Sequence, residues 1–259
     1  MIKPASNNQV KEWRKLLMGK YRKRYGLFLA EGVRCVEQIV ENELVQVTAI
    51  LTDGSDTYHQ IETATIPLFE LSVQDFASIS DTETPQGVIA VCQMPDEVPP
   101  ETVIKRSGVI VALDAIQDPG NMGTIIRTAA WFGAVAIFAG SGCVDPFHPK
   151  VVRSTAGATG ALPIIKGDLV ELFSQFEAGN WQVCLLDGSE EARDLQTIKP
   201  GERTILTVGN EANGISRKLF VANRMSVRIG GDSTAVESLN AAVACGIALG
   251  HFSGKPDRF

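Results

Sequence analysis

The chain has 259 residues, 44% of them hydrophobic and 21% charged, so disordered and fibrous classes are excluded and one large or two ordinary globular domains are expected. A net charge of −6 argues against a surface coated in basic residues for nucleic acid. No apolar run reaches membrane-spanning length, and the opening MIKPASNNQVKEW lacks the apolar core of a leader peptide, so a cytoplasmic protein is expected.

The charge is unevenly spread. Residues 1–34 hold nine lysines and arginines against two glutamates, which leaves the remainder strongly acidic. A helix is expected over Asn8 to Leu17, leading into the basic segment GKYRKRYG with Lys20, Arg22, Lys23 and Arg24. Two readings of this cluster stand: an anion-binding face for RNA phosphates, or a solvated helix surface. Tyr21 and Tyr25 are either stacking surfaces for unpaired bases or core residues, and the residue pattern does not choose between them. Glu31 to Glu41 reads as an amphipathic helix, Val47–Leu51 and Pro67–Leu71 as short strands, Ser72–Ser78 as a helical turn, and Gly87–Cys92 as an apolar strand. The stretch Met94–Glu101, MPDEVPPE, reads as a linker. A first domain at 1–95, a linker at 96–104 and a second domain at 105–259 follow.

In the second domain, Val109–Leu113 reads as a buried strand, Pro119 and Gly120 as a tight turn, and Asn121–Phe132 as a helix with Asn121 at its N-cap. Ala134–Ala139 is a strand, Lys150–Ala158 a helix with Pro149 near its first position, and Trp181–Leu186 and Arg203–Val208 further strands. A short helix from Ser216, a strand at Met225–Ile229 and a helix from Ser238 to Phe252 complete the chain. Strands alternating with helices predict an α/β fold with a mainly parallel sheet covered on both faces.

Three polar loops each follow an apolar strand: QDPGN leading to Arg127, GNEANG at 209–214, and GGDSTAVESLN at 230–240. Ligands collect at the carboxyl edge of open α/β sheets, so these loops are the candidate site, with Asn121, Arg127, Glu211, Ser238 and Asn240 as its polar side chains. Glu237 reads as solvated. The glycine patterns of dinucleotide and P-loop sites are absent, as is GxSxG, and Ser238 has a structural reading as a helix cap. The five cysteines and three histidines are scattered with no CxxC pair, so no metal is expected.

Taken together, NMGTIIRTAAWFGA, LTVGNEANGIS and ESLNAAVACGIALG resemble, in order and spacing, the three signature motifs of the SpoU (TrmH-type) RNA ribose 2′-O-methyltransferases. DPFHPKVVRSTAGATGALP resembles the family's intervening segment, with His148 where many members have asparagine, and LAEGVRCVEQ and SDTETPQGVIAV resemble its small, ribosomal-protein-like RNA-binding domain. The resemblance implies a SPOUT catalytic domain with a C-terminal trefoil knot, a homodimer, S-adenosylmethionine as cofactor, and ribosomal or transfer RNA as substrate. By position it places Gly209, Ile229 and Leu239 around the cofactor, with Thr207 and Asn210 beside them. It makes Asn121, Arg127, Glu211, Ser238 and Asn240 the polar residues of the reaction and needs no metal. Arg127 is either a general base or an electrostatic support; guanidinium groups stay protonated near neutral pH, which favours the second. A non-catalytic RNA-binding factor with the same fold is the alternative.

Overall fold

The computed structural model describes residues 2–61, 66–232, 234 and 238–253. By internal contacts the chain divides into two units. The first runs up to Asp96 and includes Asp145–Ala161; the second comprises Glu97–Val144 and the residues from Leu162 onward. The segment 145–161, expected in the second domain, thus packs with the first.

In the first unit the order is β1 (Lys3–Pro4), α1 (Asn7–Lys15), α2 (Gly19–Tyr25), β2 (Leu27–Glu31), α3 (Val33–Asn42), β3 (Val47–Thr52), β4 (Leu68–Glu70), α4 (Val73–Ala77) and β5 (Val88–Gln93). Helix α1 starts where Ser6 and Gln9 form a reciprocal capping box, an arrangement that stabilises by about 1 kcal/mol. The basic segment is helical, and Gly26 ends it in the left-handed region at φ 64°. That turn releases β2, a strand that helical periodicity conceals, and Glu31 completes it instead of opening a helix.

The five strands lie in the order β1-β4-β3-β5-β2. Strand β5 reads as continuously apolar because both of its faces are covered. Val88, Ala90 and Cys92 join Phe28, Val36, Ile39 and Val152 on one side, while Ile89 and Val91 join Trp13, Leu16, Leu51 and Phe76 on the other. Such a strand shows no alternation.

The second unit contains α5 (Pro100–Val103), β6 (Gly108–Leu113), α6 (Pro119–Trp131) and β7 (Ala136–Ala139). The chain then supplies α7 (Pro149–Ser154) to the first unit and returns as β8 (Ile164–Lys166), α8 (Leu169–Glu177), β9 (Gln182–Leu186), β10 (Arg193–Asp194), β11 (Arg203–Val208), β12 (Met225–Arg228) and α9 (Ala241–Phe252). All pairings in its seven-stranded sheet are parallel, in the order β10-β12-β9-β11-β6-β7-β8. Ile110, Ala112, Phe138, Leu185 and Ile205 pack under Phe173 and Phe176 of α8, and α9 packs against β11 and α6. The expected linker is shorter than the sequence suggests, because Val103 of α5 is fully buried in this core.

Two helix starts differ from expectation. Pro119 and Gly120 open α6 rather than preceding it: Asp118 is the N-cap, its Oδ1 accepting from the Asn121 amide at 2.7 Å. Proline at the first helical position with an acid before it is the favoured arrangement. Likewise Asn240, not Ser238, caps α9, accepting from the amides of Ala242 and Val243 at 2.9 and 3.2 Å. Among the described residues, no helix is long and apolar enough to cross a membrane.

Candidate active site

Strands β6 and β11 are paired up to Leu113 and Val208, so the loops that follow them leave the same sheet edge side by side. There the three motifs join through one side chain. Asn121 donates from Nδ2 to Glu211 Oε1 at 2.8 Å and accepts at Oδ1 from Asn240 Nδ2 at 2.9 Å. The chemistry leaves no freedom in these orientations. A carboxylate only accepts, and Asn240 Oδ1 is engaged by helix amides, so each amide has one workable orientation. Asn121 is 9% exposed, while Glu211 and Asn240 are solvent-accessible.

The GNEANG loop is held in shape from within. Asn210 and Gly214 exchange backbone hydrogen bonds of 3.0 and 2.9 Å. Asn210 Oδ1 accepts from the amides of Ala212 and Asn213 and from Asn213 Nδ2, while its Nδ2 donates to the Ala115 carbonyl at 2.9 Å. Gly209 must be glycine because a Cβ there would lie 2.3 Å from the carbonyl carbon of Gly214. Asp114, 6% exposed, accepts from the Ser216 amide at 2.6 Å and ties the far end of the loop to β6. Ala115 takes a positive φ of 56° beside it.

Arg127 lies on the exposed face of α6, and its side chain makes no hydrogen bond or ion pair among the described residues. Trp131, one turn on, is 75% exposed. Helix α9 runs parallel to α6, since Gly246 faces Thr128 and Gly250 faces Phe132. Helical spacing at about 100° per residue then puts two stripes on the same side of the pair. One holds Thr124, Arg127 and Trp131, the other Val243 and Ile247, which are 51% and 45% exposed. The arginine therefore borders an apolar surface.

The expected cofactor residues separate into two groups. Leu239 is 46% exposed, and Ile229 is half-buried just past β12. Thr207 is fully buried in β11 with its hydroxyl unpaired among the described residues, and the Asn210 side chain is committed to its own loop and to the Ala115 carbonyl, so neither side chain is presented to a ligand. Ser238 is exposed, and Glu237 lies outside the described residues. Two contributors escaped sequence reading. Asp114 is one. The other is the loop after β9, where Ser189 donates to Asp187 Oδ2 at 2.6 Å; its signal was the same, a polar turn (DGS) directly after an apolar strand. Among the described residues, no group of His, Cys, Asp and Glu is placed to hold a metal ion, and all five cysteines are unpaired.

In the first unit, Lys20, Lys23 and Arg24 are exposed, but Arg22 is 2% exposed. Its Nε and Nη2 donate to Asp145 Oδ2 at 3.0 and 2.6 Å, and Nη1 donates to the carbonyls of Leu16 and Leu17 at 2.9 and 3.0 Å. Arg22 is thus a structural residue and not part of a basic surface, because helical spacing turns it inward between its charged neighbours.

Comparison with known proteins settles the relationship. The profile of the SpoU rRNA Methylase family matches residues 108–250, and that of the MRM3-like substrate binding domain matches residues 7–90. The chain belongs to the SpoU family. It is 33% identical over 256 residues to the 23S rRNA (guanosine(2553)-2′-O)-methyltransferase of Bacillus subtilis (strain 168), covering 98% of this chain and 99% of that one. Among solved structures, a putative RNA methyltransferase of the TrmH family from Porphyromonas gingivalis superposes with a TM-score of 0.81 at 31% identity, covering 96% and 98% of the two chains. An AdoMet-bound rRNA methyltransferase from Sinorhizobium meliloti does so with a TM-score of 0.80 at 28% identity, covering 96% and 97%.

The residues of this SpoU chain suit an S-adenosyl group in kind. Leu239 and Ile229 offer apolar surface, and among the described residues a Cβ at Gly188 or Gly231 would meet nothing within 4 Å. The exposed carboxylate of Glu190 on the loop after β9 complements a sulfonium charge.

Proposed function

We propose that this chain methylates a ribose 2′-hydroxyl of ribosomal RNA, with S-adenosylmethionine as methyl donor and 23S rRNA as the first substrate to examine. The observation that carries this reading is the Glu211–Asn121–Asn240 hydrogen-bond chain, which ties all three signature motifs into one constellation at the carboxyl edge of the sheet. The full-length likeness to a 23S rRNA 2′-O-methyltransferase supports the substrate class.

When bound, the cofactor supplies an electrophilic methyl group on sulfur. The chain's residues must align the 2′-oxygen behind that methyl and lower the energy of the emerging alkoxide. Arg127, exposed and unpaired among the described residues, fills that role: its guanidinium holds the hydroxyl or the adjacent phosphate and stabilises negative charge on oxygen as the hydroxyl proton passes to solvent water. Asn121, Glu211 and Asn240 act through position. They fix the substrate-facing helix α6, the GNEANG loop and the start of α9 relative to one another. Leu239, Ile229 and the backbone at Gly209 border the cofactor, with Ser238 at the exposed rim. We place the family's trefoil knot where α9 packs back on β11.

The active species in this reading is a homodimer. Support comes from the apolar stripe of Trp131, Val243 and Ile247, which the described residues of one chain leave about half or more in water. Arg127 then lies at the border between protomers.

The test is transfer of tritiated methyl from S-adenosylmethionine to unmodified 23S rRNA, followed by mapping of the 2′-O-methyl position. Arg127→Ala is expected to bind the cofactor like the parent in calorimetric titration and to lose transfer by 100-fold or more. Full transfer by that variant refutes the assigned role, and a parent protein that binds no cofactor refutes the function.

A further inference from the structure

Helix α2 carries a feature the catalytic reading does not use. Tyr21 and Tyr25, one turn apart, stack with ring centroids 5.9 Å apart and planes 24° apart. Lys20 Nζ lies 4.8 Å and Lys15 Nζ 5.7 Å from the centre of the Tyr21 ring. Tyr25 is 38% exposed and Met18, just before the helix, 53%. Lys20, Lys23 and Arg24 are exposed, and among the described residues none of these three, nor Lys15, pairs with a carboxylate. The helix needs no ligand to hold it, because the four hydrogen bonds of buried Arg22 pin it to the rest of its unit.

We propose that the Tyr21–Tyr25 face of α2 is a stacking platform for an unpaired nucleotide of the RNA substrate, with Lys15, Lys20, Lys23 and Arg24 holding the flanking phosphates. The inference rests on the RNA reading above and deepens it, since it makes the bound segment single-stranded. Two aromatic rings left partly in water beside uncompensated cations match a strand with a π-face on each base and a charge on each phosphate. A paired helix hides its base faces in the stack and would engage the lysines alone. An acidic peptide would satisfy the charges but leave the rings without partners.

The probes are a fluorescein-labelled 12-nucleotide oligo(A) and a 12-base-pair RNA duplex, measured by anisotropy at two salt concentrations with the full-length protein. The parent is expected to prefer the single strand. Tyr25→Leu should weaken oligo(A) roughly tenfold and leave duplex affinity unchanged, whereas Tyr25→Phe should bind like the parent. Replacing Lys20, Lys23 and Arg24 by glutamine should weaken both probes and flatten the salt dependence. Poly-glutamate of equal charge should compete poorly. Equal affinity of Tyr25→Leu and parent for oligo(A), or displacement by poly-glutamate at equal charge, overturns the platform. Methyl transfer to 23S rRNA by the parent is scored separately. If it occurs while Tyr25→Leu binds oligo(A) normally, the platform fails and the enzymatic reading stands; if it is absent while the platform behaves as stated, the reverse holds.

Discussion

The junction at Asn121 allows a demanding test, because one isosteric change reverses the polarity of one hydrogen bond and spares the other. In Asn121→Asp the carboxylate still accepts from Asn240 but faces Glu211 Oε1, 2.8 Å from the former Nδ2 position. A hydrogen bond to a charged group stabilises by about 1.5–3 kcal/mol, and that is lost. Two carboxylates at that separation repel by about 6 kcal/mol at an effective dielectric near 20, a ceiling that solvent around exposed Glu211 reduces by half or more. The low end of that sum, about 3 kcal/mol lost in loop positioning, predicts at least a roughly 100-fold fall in methyl transfer. The assay is single-turnover transfer from tritiated S-adenosylmethionine to 23S rRNA, with cofactor affinity measured alongside.

Two further outcomes follow from placing a second carboxylate beside Glu211 in this variant. The introduced carboxyl, facing Glu211, has its pKa raised, so its proton is present below that value and is lost above it. A shared proton restores the missing donor, and the variant should recover activity relative to the parent as the pH falls. Pairing the change with Glu211→Gln should rescue it at neutral pH, since the new amide donates to the new carboxylate. A double variant no better than the poorer single variant, with the cofactor bound and no pH dependence, refutes the positioning chain.

Four other changes are informative. Arg22→Ala removes the guanidinium from the Asp145 carboxylate and two carbonyls and should destabilise the first unit by about 3 kcal/mol in urea titration, after discounting for the 22% exposure of Asp145. Ala115→Gly relieves a positive φ of 56° and should stabilise by roughly 0.5–1 kcal/mol in the same assay. His148 caps α7 through Nδ1, and burial is the main reason its pKa lies below the ordinary value. The neutral ring is therefore favoured in the fold, its contribution declines as pH drops below about 6.5, and His148→Asn should cap the helix without that decline in a pH series of melting curves. Ile247→Asp should leave a folded monomer by analytical ultracentrifugation with methyl transfer strongly reduced; an unchanged dimer refutes the interface.

How much of this was readable follows from which forces are local. The caps Ser6 and Asp118 were passed over and the expected helix starts, Asn8 and Asn121, fell one and two residues inside the helices, whereas strand β11 was readable to the residue because an apolar run ended at a glycine turn. Strand β2 was not, since LFLAE has no alternation once both of its faces are buried. Arg22 shows the same limit from the polar side. Nothing in GKYRKRYG distinguishes the arginine that turns inward from those that face water, because its partner Asp145 lies 123 residues away. The site was legible as three loops of the right residue types, but the links between Asn121, Glu211 and Asn240 span 90 and 119 residues and exist only in the fold.

Helix α9 is the instructive case. Its sequence, AAVACGIALGHF, is apolar on every side, and such a helix is one whose outer face is covered. Yet Val243 and Ile247 lie about half in water. Among the described residues nothing covers them, so a second copy is the economical source, and the parallel packing of α6 and α9 puts Arg127 at its border. On that reading the arginine looked anomalous for a physical reason. With the proposed dimer and RNA substrate, the apolar walls beside it belong to the pair of protomers and its anionic partner to the RNA, so no stretch of one sequence contains the environment that explains it.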